Sequence, residues 1–146
     1  MEQKAKVLAV EAANNPENAE GLIKLGNVYF DTDKYDLAIS AYEKSLELKP
    51  GNANVLTDLE IMYRRSGQPD KAIIIFDKAI TADSKNENSR LNKGTVQMHD
   101  LNDRNGALRT WEDLLEANPL AMASKNQSIA QMLKHYKEGH DKDVSN

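Results

Sequence analysis

Displaced by 34 positions, the sequence falls back onto itself: Leu22 onto Leu56, Leu25 onto Leu59, Tyr29 onto Tyr63, Ala38 onto Ala72 and Tyr42 onto Phe76. Three asparagines, Asn18, Asn52 and Asn86, keep the same spacing, each just ahead of a helix-like stretch. A fixed period of this size marks a repeat architecture, in which no unit buries its apolar face alone and neighbours must stack. Asparagine at each unit start is what helix initiation asks for, because its side-chain oxygen accepts from an orphan amide of the first turn.

Inside each unit the apolar residues recur at helical spacing. Leu22, Leu25, Gly26 and Tyr29 form one face, and Ala38, Ile39, Tyr42 and Leu46 the next. A polar turn separates them: Asp31 to Lys34 in the first unit, Ser66, Gly67, Gln68 and Pro69 in the second. Gly67 suits a helix C-terminus and Pro69 the first turn of the following helix. Each unit therefore reads as a helical hairpin. Lys49 to Asn52, Asp83 to Asn86, and Asn118 with Pro119 separate one hairpin from the next.

A 34-residue helix–turn–helix with this pattern resembles the tetratricopeptide repeat family. Unit one carries Leu22, Leu25, Gly26 and Tyr29, then Ala38, Tyr42 and Pro50; unit two carries Leu56, Leu59, Glu60 and Tyr63, then Ala72, Phe76 and Ala79, with Ser84 in place of the proline. Unit three keeps Gly94, Ala107, Trp111 and Pro119, but its second helix sits at an offset of 35. The extra residue goes either into the turn from Leu101 to Gly106 or earlier, which turns Leu91, Gly94 and Met98 inward. Asn86 and Gly94 favour the turn. The resemblance implies an all-α, right-handed α-solenoid of stacked hairpins. Its expected parts are an N-terminal helix or cap at 1–16, three repeats at 18–51, 52–85 and 86–119 within 17–119, a capping helix at 120–139 and a disordered tail at 140–146.

The ends fit that scheme. Residues 2–13 place Ala5, Leu8 and Ala12 on one face. Ser124 and Gln127 have the spacing of a capping box for a last helix bearing Ile129, Met132, Leu133 and Tyr136, with Gly139 expected to stop it. Lys134, Lys137 and Glu138 supply the polar outer face an array end requires.

Composition excludes several functions. With no cysteine there is no disulfide, thiolate zinc site or iron–sulfur ligation. A net charge of −4 gives no basic excess for nucleic acid. Apolar residues reach 40% yet never run for the length of a bilayer span, so no direct membrane insertion is expected. No export signal is read at the N-terminus. The compartment stays open, cytoplasmic or the periplasmic part of an anchored protein.

Catalysis has little to stand on. His99, His135 and His140 accompany no nucleophile motif, and His135 and His140 are poorly spaced for ligands on one helical face. Asp31, Asp33 and Asp36 begin like a calcium loop but lack the glycine and the closing glutamate. Asn126 to Ser128 fits a glycosylation sequon that its place in a cap explains. No enzyme, metal or cofactor is expected.

Stacked hairpins do create a concave wall lined by their first helices. The offsets place Ile23, Asn27 and Phe30 there, then Asn54, Thr57, Ile61 and Arg64, then Asn88, Leu91, Thr95 and Met98. Amide and apolar groups in alternation suit an extended peptide or a partner helix. Chaperone-adaptor members of the family grip a terminal carboxylate with lysines, asparagines and an arginine. Here Asn27 matches that clamp, while Ile23 stands where a lysine is wanted and Asn88 and Asn92 stand for the lysine and arginine. The expected function is thus non-catalytic protein–protein interaction, without the chaperone-tail carboxylate as ligand. The rival expectation is a self-associating scaffold, because Val7, Val10 and Ile74 fall on outward faces.

Overall fold

Three asparagines open three helices. The Asn18 Oδ1 accepts from the Gly21 amide at 3.3 Å, Asn52 Oδ1 from Asn54 at 3.1 Å and Val55 at 3.3 Å, and Asn86 Oδ1 from Ser89 at 3.0 Å. The structure, a computed structural model, describes residues 2–145, with side chains as far as residue 138. In chain order the helices are α1 (Glu2–Asn14), α2 (Ala19–Asp31), α3 (Tyr35–Leu48), α4 (Ala53–Arg65), α5 (Pro69–Ala82), α6 (Glu87–His99), α7 (Arg104–Ala117) and α8 (Ile129–Ser145). A pair of short strands, β1 (Met122–Ser124) and β2 (Gln127–Ser128), precedes α8. The chain falls into two compact units, Met1–Ala82 and Asp83–Asn146.

In the first unit each helix packs on the next, and α2 also meets α4. This is the neighbour order of stacked hairpins, with α2 and α4 in one row and α1, α3 and α5 in the other. Ala12, Leu22, Leu25 and Ala41 form one apolar cluster, joined by Leu8, Ala9 and Tyr29. Tyr42, Leu59, Met62 and Phe76 are buried as well. The hairpins close tightly because of one small residue. A Cβ added to Gly26 would come within 2.6 Å of the Tyr42 ring, so only glycine lets the two helices meet there.

The second unit repeats this contact. A Cβ on Gly94 would lie 2.1 Å from Trp111 Nε1, and that nitrogen donates to the Leu91 carbonyl at 3.1 Å. Gly94 therefore holds the place of Gly26, and the additional residue lies between α6 and α7. Four residues, 100–103, join those helices, where three join α2 to α3 and α4 to α5. The ring-facing register with the insertion in the turn is the one adopted.

Left-handed backbone recurs at one point of all three turns: Asp33 (φ 57°), Gly67 (φ 80°) and Asn102 (φ 55°). The amides of Lys34 and Gln68 then reach back five residues to the carbonyls of Tyr29 and Tyr63, both at 2.8 Å. This is the Schellman arrangement, which satisfies carbonyls that a helix end leaves orphaned. Asp33, weighed above as the start of a calcium loop, is a turn residue.

The C-terminal expectations need two corrections. Ser124 and Gln127 do not cap a helix; they pair as strand residues within β1 and β2. The capping box sits four residues on, where Ser128 Oγ accepts from the Gln131 amide (3.1 Å) and the Ser128 amide donates to Gln131 Oε1 (2.9 Å). The same Ser-x-x-Gln spacing occurs twice, and burial selects between the copies. Ile129 is fully buried, and its amide donates to the Ala121 carbonyl at 2.9 Å, so the helix begins there. Secondly, α8 runs to Ser145, so Gly139 does not end it and the expected tail is helical as far as that residue. Ile129, Met132 and Leu133 of α8 close the core of Ala107, Trp111, Leu114 and Ala121, and Tyr136 packs beside them. Lys137 pairs with Glu112 of α7 at 2.8 Å across an exposed surface.

The turn geometry yields a paired prediction. Asp33→Gly relieves a left-handed side-chain residue and should raise stability by about 0.5–1 kcal/mol. Gly67→Ala should lower it by about 1 kcal/mol, because its Cβ would touch nothing within 4 Å and the cost is conformational alone. Thermal midpoints moving a few degrees in opposite directions are the expected readout.

Candidate functional site

The side-by-side contact of α2 and α4 brings part of the expected groove together. Ile23, Phe30 and Ile61 are half-buried, whereas Asn27, Asn54, Thr57 and Arg64 are exposed. Two of the polar groups are already engaged. Asn27 Oδ1 accepts from the Tyr42 hydroxyl at 2.7 Å, leaving its amide NH2 to face outward as donor. The Thr57 hydroxyl donates to the Ala53 carbonyl at 2.9 Å and is spent within its own helix. Phe30 lies beneath a cation, with the Arg65 guanidinium 5.3 Å from its ring centre.

Charge adds a feature the residue offsets missed. Burial and the nearby Asp31 raise the Asp58 carboxyl above the usual carboxylate range. Burial, then Asp58 and Asp31, hold the Tyr42 phenol well above its ordinary value. Two acids thus share the neighbourhood of the Asn27–Tyr42 hydrogen bond, at one edge of the apolar patch. Asp58 follows Thr57 on α4 and Asp31 is one turn beyond Asn27 on α2, but their separation of 27 residues does not match the period and no pattern along the chain relates them. These acids add to the lack of cationic groups at the chaperone-type clamp positions, where Ile23, Asn88 and Asn92 stand.

In the second unit the expected residues are differently occupied. Leu91 and Met98 pack against the core of Trp111, Leu114 and Met132, and so are partly spent on cohesion. The Thr95 hydroxyl donates to the Leu91 carbonyl at 3.0 Å. Asn88 is exposed. Gln97, one residue before Met98, accepts from Thr110 at 2.6 Å. His99 meets the Tyr136 hydroxyl at 3.3 Å. Among the described residues no cluster of three or more His, Cys, Asp or Glu side chains is placed to hold a metal.

Glu60 is the anomaly of the first unit. It occupies the position of Gly26 and Gly94, is only 3% exposed, and its Oε1 has no hydrogen-bond partner. Burial, and secondarily Asp58, push its carboxyl up to about 8. An acid at such a site is neutral at physiological pH, since a buried unpaired charge is far costlier than a buried proton.

Residues 17–85 match the sequence profile of the tetratricopeptide repeat family. Among curated proteins, a peroxisomal targeting signal receptor of Yarrowia lipolytica is 31% identical over 102 residues, covering 63% of this chain and 17% of that protein. Anaphase-promoting complex subunit 3 of Schizosaccharomyces pombe is 30% identical over 95 residues, covering 65% of this chain and 14% of that protein. The chain thus spans under a fifth of the length of these two relatives. Solved structures of MamA share the fold: one aligns at a TM-score of 0.71 with 24% identity, over 83% of this chain and 66% of that one. Another reaches 0.72 with 22% identity, over 97% of this chain and 75% of that one.

Glu60 makes stability pH-dependent in a defined direction. Its folded value lies above its ordinary value of 4.5, so the folded state holds a proton that the unfolded state releases. The contribution to stability is full below pH ~4.5, declines as pH rises, and is lost above about 8. Glu60→Gln should match the native chain near pH 4.5 and exceed it by roughly 3–5 kcal/mol at pH 8. Urea unfolding across that range, with the Glu60-linked slope missing in the variant, is the check.

Proposed function

We propose, from the match of residues 17–85 to the tetratricopeptide repeat profile, that the chain is a non-catalytic protein–protein interaction module. It takes an extended peptide or a partner helix along the face formed by α2 and α4. One observation carries the reading: Ile23, Phe30 and Ile61 are half-buried on α2 and α4, and Asn27 on α2 is exposed with its oxygen held by Tyr42 and its amide NH2 left as a donor. Half-buried apolar side chains around a few placed polar groups are what peptide grooves present. The acids Asp31 and Asp58 bias that face toward a ligand with a cationic side chain rather than a carboxylate terminus. Within the second unit, taken by itself, Asn88, Leu91, Thr95 and Met98 are proposed as ligand-facing residues, Leu91 and Met98 contributing only what their core packing leaves exposed. Among the described residues no helix is long and apolar enough to cross a membrane. Neither nucleic acid nor a cofactor has a place in this proposal.

A second reading, a self-associating scaffold, has its own support. In the first unit the large apolar side chains left exposed, Val7, Val10, Leu37, Leu48 and Ile74, lie on α1, α3 and α5, while Leu101, Leu120 and Met122 are exposed in the second unit. Ile74 also borders a groove of about 890 Å³ between α3 and α5, floored by Leu56 and Leu59. Within the first unit these exposed apolar residues keep to one row of helices, which favours a contact surface there.

The groove reading is tested without disturbing the Tyr42 hydrogen bond. Ile23→Gln with Ile61→Gln should reduce recovery of a specific partner at least tenfold in a pull-down read by mass spectrometry. Helical circular dichroism should be retained, and the thermal midpoint should fall by no more than a few degrees. Equal recovery by both proteins removes the groove from consideration.

A further inference from the structure

The scaffold reading can be carried to a specific contact. Helix α1 turns Leu8, Ala9 and Ala12 toward α2 and α3, and among the described residues the opposite side has no cover. On that side Gln3, Val7, Val10 and Asn14 are all exposed, the two valines at 52% and 61%. Their spacing is four, three, four, the a/d seam of a coiled coil. β-branched residues occupy its centre and amides its two ends.

The strip is also self-complementary. A second copy of α1 laid antiparallel, with a two-fold axis midway between residues 8 and 9, sets Val7 against Val10 twice. It sets Gln3 against Asn14 twice, so that amide faces amide at both ends. Lys4 and Glu11 lie on one flank of the strip, and both are exposed. In an antiparallel pair that flank meets itself, so Lys4 of each copy faces Glu11 of the other. A parallel pair would instead set each flank against the opposite one, bringing Lys6 of one copy toward Glu11 of the other. The Lys4–Glu11 pairing belongs to the antiparallel arrangement alone, and exchanging those two charges distinguishes the arrangements.

We propose that the exposed face of α1 is a homodimerisation surface, pairing antiparallel with α1 of a second copy through Val7 and Val10. The contact is isologous and closes at two, so it makes dimers and no filament. It is also weak. Thirteen residues give a helix of about 20 Å, and two of them bury less than the ~1,200 Å² of a stable interface. Such a contact populates at high protein concentration or where copies are held near one another.

Sedimentation velocity on the full chain, from roughly 10 µM to 1 mM, tests this. The weight-average mass should climb from 16.3 kDa toward twice that value. Val7→Glu with Val10→Glu should hold the chain monomeric throughout with unchanged helicity. Lys4→Glu alone should weaken the dimer several-fold, and adding Glu11→Lys should restore it, which a nonspecific apolar contact would not do. Ile74→Glu should leave the dimer intact. A chain monomeric at 1 mM overturns the proposal. So does a dimer that survives loss of both valines, one lost with Ile74→Glu, or a Lys4 effect that Glu11→Lys does not reverse. Partner capture by the α2/α4 face is read separately and should be unaffected by the valine changes, so the two readings fail independently.

Discussion

The close approach of paired helices at a glycine governs most of this structure. Gly26 lies against Tyr42 and Gly94 against Trp111, at separations that no Cβ tolerates. The aromatic ring crosses where a side chain would otherwise stand, and its polar atom emerges on the far side with a partner. Tyr42 reaches Asn27, and the Trp111 indole reaches the Leu91 carbonyl. A single packing event thus sets the helix separation, buries the largest side chain of the hairpin and orients a polar residue of the inner helix. The hairpin between them carries Glu60 at the glycine position. Its buried, proton-holding carboxyl marks the place where the repeat departs from its own rule.

The candidate interaction face is a by-product of that packing. Once α2 and α4 lie side by side, whatever the apolar stripes do not consume is displayed in a row. Some of that display is spent internally: the Asn27 acceptor goes to Tyr42 and the Thr57 hydroxyl to its own helix. What remains is three half-buried apolar side chains, an amide donor, an acidic edge and an arginine stacked on Phe30. This mixture favours shape and side-chain recognition over capture of a terminal carboxylate. The outer row has a different character, with isolated valine, leucine and isoleucine residues facing outward and grooves between neighbouring helices.

Much of this was legible from residue order because repeats speak through periodicity. The helix starts at Asn18, Asn52 and Asn86, the hairpin turns and the small-residue slot at Gly94 all follow from local chemistry sampled three times over. Reading failed where one local signal occurred twice or where a neighbour in space intervened. Ser124 and Ser128 offer identical capping spacings, and only the burial of Ile129 chooses the second. Gly139 looks like a helix stop, yet glycine inside a helix is a cost of about 1 kcal/mol rather than a prohibition. Asp31 and Asp58 lie 27 residues apart in the chain, and no pattern along it announces that they share one electrostatic neighbourhood.

The sequence by itself determined that this chain is a series of helical hairpins, because caps, turn residues and apolar spacing act within a few residues of one another. It also determined which faces of the first two hairpins turn inward, and left two registers open for the first helix of the third. Only the tertiary structure decided which groups those faces leave unspent. Whether an asparagine is free or engaged, a glutamate charged or protonated, or a leucine in a groove or a core depends on residues brought close by packing rather than by bonds.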